Sequence, residues 1–399
     1  MQTSVRWTIA ATAAVALTTL GLSAPATAAP AEQPVLVAAG AEVVPNSYVV
    51  VLEEDRSPVA GQASILANRH GGTVRQTYSH ALRGFAATMS AQQARRMAAD
   101  PAVAYVQADV VHRASDTQTN PPSYGLDRID QRNRPLNQAY TYSTGAANVH
   151  AYIVDTGIRT THRDFGGRAT SGFDAVDGGT ADDCHGHGTH VAGTVGGTSY
   201  GVAKSVRLVA VRVLNCQGSG TTAQVVAGID WVTANAQKPA VANMSLGGGA
   251  DTALDNAVSR SIASGVTYSI AAGNGLFGLI ALDACTQSPA RVPTALTVSA
   301  VDTNDRKANW ANRGTCVDLF APGIGITSAW ATNDTAANTI SGTSMAAPHV
   351  AGAAALYLAT HATATSAEVH SAIVGAATTG VVTSPGSGSP NRLLYTGGF

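Results

Sequence analysis

Val149-His150-Ala151-Tyr152-Ile153-Val154, closed by Asp155-Thr156-Gly157, is the stretch on which the reading of the fold turns. The six leading residues are mostly β-branched, small or aromatic, as expected of a strand buried on both faces. Runs of the same kind recur at Leu208–Leu214, Ala240–Met244, Val266–Ala271 and Leu296–Ala300. Helical patterns lie between them, such as Thr222–Ala236, whose Val225, Ile229 and Val232 share one face. Strands alternating with helices imply an α/β fold with a mostly parallel sheet covered on both sides. Ligands of such sheets gather at the carboxyl ends of the strands. That rule singles out Asp155, Ser245-Leu246-Gly247 and Gly273-Asn274.

Working outward, the 399 residues hold one large domain or two medium ones. Charged residues make up 12% of the chain, about half the usual share of roughly 25%. A formal charge of −1 gives no reason to expect nucleic acid or an anionic membrane as partner. At the N-terminus, Met1–Arg6 carries one positive charge, Ile9–Leu22 is apolar, and Ala26-Thr27-Ala28 supplies small residues. This is the order of a secretory signal peptide, expected over residues 1–28. The apolar run falls short of the about 20 residues that cross a bilayer. A secreted, unanchored protein is therefore expected.

Residues 30–45 read as a linker. From Ser47 the order is strand (Tyr48–Leu52), helix (Val59–His70), two strands (Thr73–Tyr78 and Ala81–Met89), helix (Ser90–Ala99, with Ser90 as cap) and strand (Val103–Val106). Such a unit forms a small sheet with helices on one face. Polar Arg113–Asn120 with Pro121-Pro122 marks the boundary that follows it. All four cysteines, Cys184, Cys216, Cys285 and Cys316, lie beyond the signal. An even number in an exported chain fits two disulfides, with three connectivities open. No C-x-x-C spacing points to a structural zinc site.

Taken one at a time, the chemically able residues are ambiguous. Asp-Thr-Gly at 155–157 is also the triplet of pepsin-like proteases, but their chemistry needs a second such carboxylate, and the chain has none. His185, His187 and His190 lie within six positions. His187 and His190 would share a helical face as zinc ligands do, yet no Glu stands in the segment to serve as the base of a zinc peptidase. Ser344 precedes an apolar stretch running to about Tyr357, and Pro348 requires the helix to begin close to that serine. A serine there is ordinarily a helix cap. It also stands at the positive helix end, where backbone N–H groups stabilise developing negative charge.

Together, three blocks change the reading. Ile153-Val154-Asp155-Thr156-Gly157, His187-Gly188-Thr189-His190-Val191-Ala192-Gly193 and Gly342-Thr343-Ser344-Met345-Ala346-Ala347-Pro348-His349 occur in that order. The chain resembles the subtilisin-like serine peptidases, in particular the proteinase K and aqualysin branch, over essentially all of 124–399. The resemblance implies a subtilisin-like three-layer fold, preceded by a small α+β, ferredoxin-like inhibitory propeptide. It divides the chain into signal (1–28), propeptide (29–114, its folded unit about 47–112) and peptidase domain (115–399), with self-cleavage near Arg113–Ser115. Asp155, His187 and Ser344 take the triad roles, and Asn274 that of side-chain oxyanion donor. By the same match His190 and His349 are structural, while His185 falls outside the pattern.

The resemblance further implies a cleft made from Gly218-Ser219-Gly220, Ser245-Leu246-Gly247 and Ala271 to Gly273. An extended peptide would pair there backbone to backbone, with a bulky apolar or aromatic residue before the cut. It implies the disulfides Cys184–Cys216 and Cys285–Cys316, and a structural Ca2+ site from the carbonyls of Pro293 and Ala295 with the Asp318 carboxylate. No catalytic metal is implied. The expected partners are protein and peptide substrates and the chain's own propeptide, and the expected state is a monomer. One segment departs from the family: Gly275-Leu276-Phe277-Gly278-Leu279-Ile280-Ala281-Leu282-Asp283-Ala284 is longer and more apolar than the polar turn usual there. It is expected either to reshape the apolar pocket or to expose a sticky loop.

Overall fold

Along 150–155, successive side chains enter two different cores. Ala151 and Ile153 pack in one cluster, Tyr152 and Val154 in the other, as the two-residue period of a strand requires. The structure is a computed structural model that describes residues 32–37, 43–55, 57–111 and 115–399. The expected signal peptide, residues 30–31 and 38–42 of the expected linker, and Arg113 and Ala114 of the expected cleavage stretch lie outside the described residues. Two units are present, one ending at Val111 and one made of the rest of the chain.

In the first unit, the elements run β1 (Val43–Leu52), α1 (Val59–His70), β2 (Thr73–Tyr78), β3 (Gly84–Thr88), α2 (Ala91–Ala98) and β4 (Val103–Val110). The sheet order is β2-β3-β1-β4 and every pair is antiparallel. This is the ferredoxin-like βαββαβ arrangement. Ser90 starts α2 through a reciprocal capping box with Gln93. One small core, including Val50, Leu66, Phe85, Met97 and Val106, joins both helices to the sheet.

In the second unit, the large sheet contains β5 (His150–Asp155), β6 (Ala169–Asp174), β7 (Arg207–Arg212), β8 (Ala240–Met244), β9 (Thr267–Ala271), β10 (Leu296–Val301), β11 (Leu319–Pro322), β12 (Thr378–Thr379) and β13 (Arg392–Leu393). Their order is β12-β13-β11-β10-β9-β8-β5-β7-β6. All neighbours are parallel except β12 and β13. The longer helices are α3 (His187–Gly196), α4 (Thr222–Asn235), α5 (Thr252–Ala263), α6 (Thr343–Thr360) and α7 (Ser366–Ala376). Residues of α3, α6 and α7 share the core of Ala151 and Ile153, whereas α4 and α5 cover Tyr152 and Val154. The result is the three-layer subtilisin-like fold.

One strand departs from the sequence reading. β6 was not anticipated, because Ala-Thr-Ser-Gly-Phe-Asp lacks an apolar run; it is an edge strand that needs only one neighbour. α6 begins one residue before Ser344, as Pro348 requires, and the Ser344 carbonyl that the proline leaves without an N–H partner accepts from the Ser245 hydroxyl instead. Among the described residues, no helix is long and apolar enough to cross a membrane.

Candidate active site

Asp155 ends β5 with its side chain fully buried, and β5 is an interior strand of the sheet. Its Oδ1 accepts from the Thr156 N–H at 2.8 Å and lies 2.7 Å from His187 Nδ1. His187 opens α3, whose first turn lies against the loop after β5. A Cβ on Gly188 would stand 2.2 Å from the Gly157 carbonyl oxygen, so only glycine permits this approach. Burial disfavours the imidazolium. The charge of Asp155, its hydrogen bond and the charge of Asp183 outweigh burial and raise the His187 pKa. The other two histidines of the quoted blocks behave differently. Burial pushes both His190 and His349 down to about 4. Each ring meets a backbone carbonyl, Ile326 for His190 Nε2 and Met345 for His349 Nδ1.

Ser344 is the second residue of α6. Its hydroxyl donates to the Ser245 carbonyl at 3.1 Å, and the Ser245 hydroxyl donates to the Ser344 carbonyl at 2.7 Å. This exchange fixes the start of α6 to the end of β8. Asn274 follows β9. Its Oδ1 accepts from both the backbone N–H and the hydroxyl of Thr343, each at 2.8 Å. The amide oxygen is so occupied, and Asn274 itself lines the cleft.

That cleft has a volume of about 920 Å³ and is lined by His187, Asn274 and Ser344. Gly218, Gly220, Ser245, Leu246, Gly247, Ala271 and Gly273 line it too, while Asp155 lies behind His187. His185 also reaches this cleft, its ring centroid 6.3 Å from that of His187. Cys184 is bonded to Cys216, and Cys285 to Cys316. Pro293, Ala295 and Asp318 lie outside the cleft lining, beside the start of β10.

A model of the subtilase family matches residues 148–393, the span that holds Asp155, His187, Asn274 and Ser344. The chain belongs to the subtilase family. It is a subtilisin-like serine proteinase, a hydrolase. A second match, to the peptidase inhibitor I9 family, covers residues 47–115. The subtilase is 51% identical over 395 residues to an extracellular serine proteinase of Thermus sp. strain Rt41A, covering 94% of this chain and 95% of that one. It is 48% identical to an alkaline serine exoprotease A of Vibrio alginolyticus, covering 81% of this chain and 60% of that one. The crystal structure of a cold adapted subtilisin-like serine proteinase matches with a TM-score of 0.66 and 52% identity, over 68% of this chain and 97% of that one.

Three residues of this subtilase's site escaped sequence reading. Asp183 accepts from the N–H groups of His185, Gly186 and Thr189 and from the hydroxyls of Thr156 and Thr189. It thereby ties the start of α3 to the residue after Asp155. An acidic residue ahead of a helix was the available signal. Thr343 clamps Asn274, and its hydroxyl also accepts from the Gly273 N–H at 3.1 Å. Asn312, buried, donates to the Ala272 carbonyl and accepts from the Leu282 N–H, both at 2.8 Å. It braces the two ends of the apolar segment, and nothing in its local sequence marked it.

Proposed function

We propose that this subtilase is a secreted endopeptidase that cuts polypeptides by acyl transfer through Ser344, His187 and Asp155. The observation that carries this reading is the 2.7 Å contact between buried Asp155 and His187, in a cleft shared with Ser344. Ser344 Oγ leaves the Ser245 carbonyl and bonds to the scissile carbonyl carbon as His187 Nε2 takes its proton. Asp155, bonded at Nδ1, holds the tautomer that leaves Nε2 free to accept and stabilises the imidazolium. The carbonyl oxygen becomes an oxyanion that Asn274 Nδ2 and the start of α6 stabilise. Collapse breaks the C–N bond, and the leaving amine receives the proton from His187. Water, deprotonated by His187, then hydrolyses the Ser344 ester and restores the hydroxyl.

The glycine-rich walls at 218–220 and 247–248 support an extended substrate paired backbone to backbone. The small side chains of Ala271 and Gly273 leave room for a bulky apolar or aromatic residue before the cut. The I9 match over 47–115 supports an inhibitory propeptide, with signal 1–28, propeptide 29–114 and peptidase 115–399, and self-cleavage near Arg113–Ser115. The Thermus relative's name, extracellular serine proteinase, supports export. Asp318 Oδ2 accepts from the Thr297 N–H at 2.8 Å, which sets this carboxylate beside the chain that carries the Pro293 and Ala295 carbonyls. Oxygen-only donors fit calcium, which would pin that loop when bound.

The test is covalent labelling. A sulfonyl fluoride is expected to modify Ser344, located by peptide mass, and to abolish casein hydrolysis. Activity killed by a chelator and restored by zinc but not calcium would contradict the serine mechanism.

A further inference from the structure

Leu276, Phe277, Leu279 and Ile280 are 46, 87, 74 and 62% exposed, four bulky apolar side chains within five residues. The segment that carries them is a built turn. The Leu276 N–H donates to the Ile280 carbonyl at 2.8 Å and the Leu279 N–H to the Leu276 carbonyl at 3.0 Å. Phe277 and Gly278 close the turn with φ of 53° and 66°. Its far end is held by Asn312 at Leu282, and its near end is Asn274-Gly275 in the cleft wall. A left-handed backbone is strained for Phe, and a side chain left in water gains nothing from burial to offset that strain.

We propose that the 275–282 loop is a secondary contact for apolar side chains of the polypeptide being cut, beyond the part of the cleft that a short peptide fills. The proposal rests on the proteolytic reading above. The occupant follows from continuity with the cleft. The cleft runs over the carboxyl ends of β7, β5, β8 and β9, with Gly218 and Gly220 following β7 on one flank. The loop follows β9 on the other flank, toward β10, so a chain crossing Ser344 and passing Asn274 meets it next. A second copy is a poorer occupant, because four side chains fall well short of the roughly 1,200 Å² that stable interfaces bury. A lipid surface is poorer too: residues 275–290 contain no Lys or Arg, and Asp283 is the one charge among them.

The test compares wild type with the double variant Phe277→Asn, Leu279→Ser, in which Asn suits the left-handed backbone. The substrates are a chromogenic tetrapeptide amide and two long quenched peptides with the same cut, bearing either apolar residues or serines away from it. The variant is expected to keep tetrapeptide kcat/KM within about twofold and to lose roughly tenfold on the apolar long peptide, through KM, with little change on the serine one. Equal losses on all three, or none, would overturn the proposal. So would vesicle binding or dimerisation that the variant abolishes while peptide kinetics stay unchanged. Ser344→Ala serves as the control: residual hydrolysis by that variant would sink the proteolytic reading itself, independently of any dependence on peptide length.

Discussion

Asn274 is held by its oxygen so that its nitrogen is free to act, and Thr343 does the holding with two donors. Replacing Thr343 by Val keeps the shape and the backbone N–H but removes the hydroxyl. One hydrogen bond to a positioned amide is worth about 1 kcal/mol. Peptide hydrolysis is therefore expected to fall roughly fivefold in kcat with KM little changed, to recover in Thr343→Ser, and to show little further loss when Thr343→Val is added to Asn274→Ala. Additive losses would show that Thr343 acts apart from Asn274. The acid limb of kcat/KM reports the same site. His187 must be neutral to accept a proton, and its pKa is raised in the folded protein, so activity is expected to fall as pH drops through a value above the ordinary 6.5. Asp155→Asn should move this limb down and cut kcat by about 10⁴. A limb that stays in place would remove Asp155 as the partner.

At the scale of elements, α3 and α6 each bury one histidine that the chemistry does not use. His190 and His349 both sit near 4 because burial excludes the charged form. Unfolded, each takes up a proton near 6.5. Their contribution is whole above pH 6.5 and is lost as pH falls toward 4, at up to about 2.7 kcal/mol per pH unit for two protons. Asp130, pushed up to about 6 chiefly by burial, opposes one of these protons below that pH. Urea unfolding of the sulfonylated protein, which cannot digest itself, should show stability falling between pH 6.5 and 4 and a shallower fall in His190→Gln. Flat stability across that window would contradict the assignment. The start of α6 was legible in the sequence because Pro348 requires it close to Ser344, and the buried strands because their apolar runs need no partner to be seen. β6 was hidden by its edge position. Asp183, Thr343 and Asn312 were hidden for another reason: their roles depend on hydrogen bonds, several of them between residues 30 to 70 positions apart.

At the scale of the molecule, one chain carries a ferredoxin-like unit matching the I9 inhibitors and a subtilase unit whose cleft is lined by His187 and Ser344, with Asp155 buried behind His187. Fold and family were readable from three short blocks because their order is specific. The exposure of the loop after Asn274 was one of two outcomes left open by the sequence, and the structure places its apolar side chains in solvent. The proposal that Ser344 both cuts substrates and frees the enzyme from its own precursor is tested most directly by the mass and N-terminal sequence of secreted wild-type and Ser344→Ala protein. Wild type is expected to be shortened near Arg113–Ser115, with Ser344→Ala keeping everything after the signal. Equal processing of the two would contradict it.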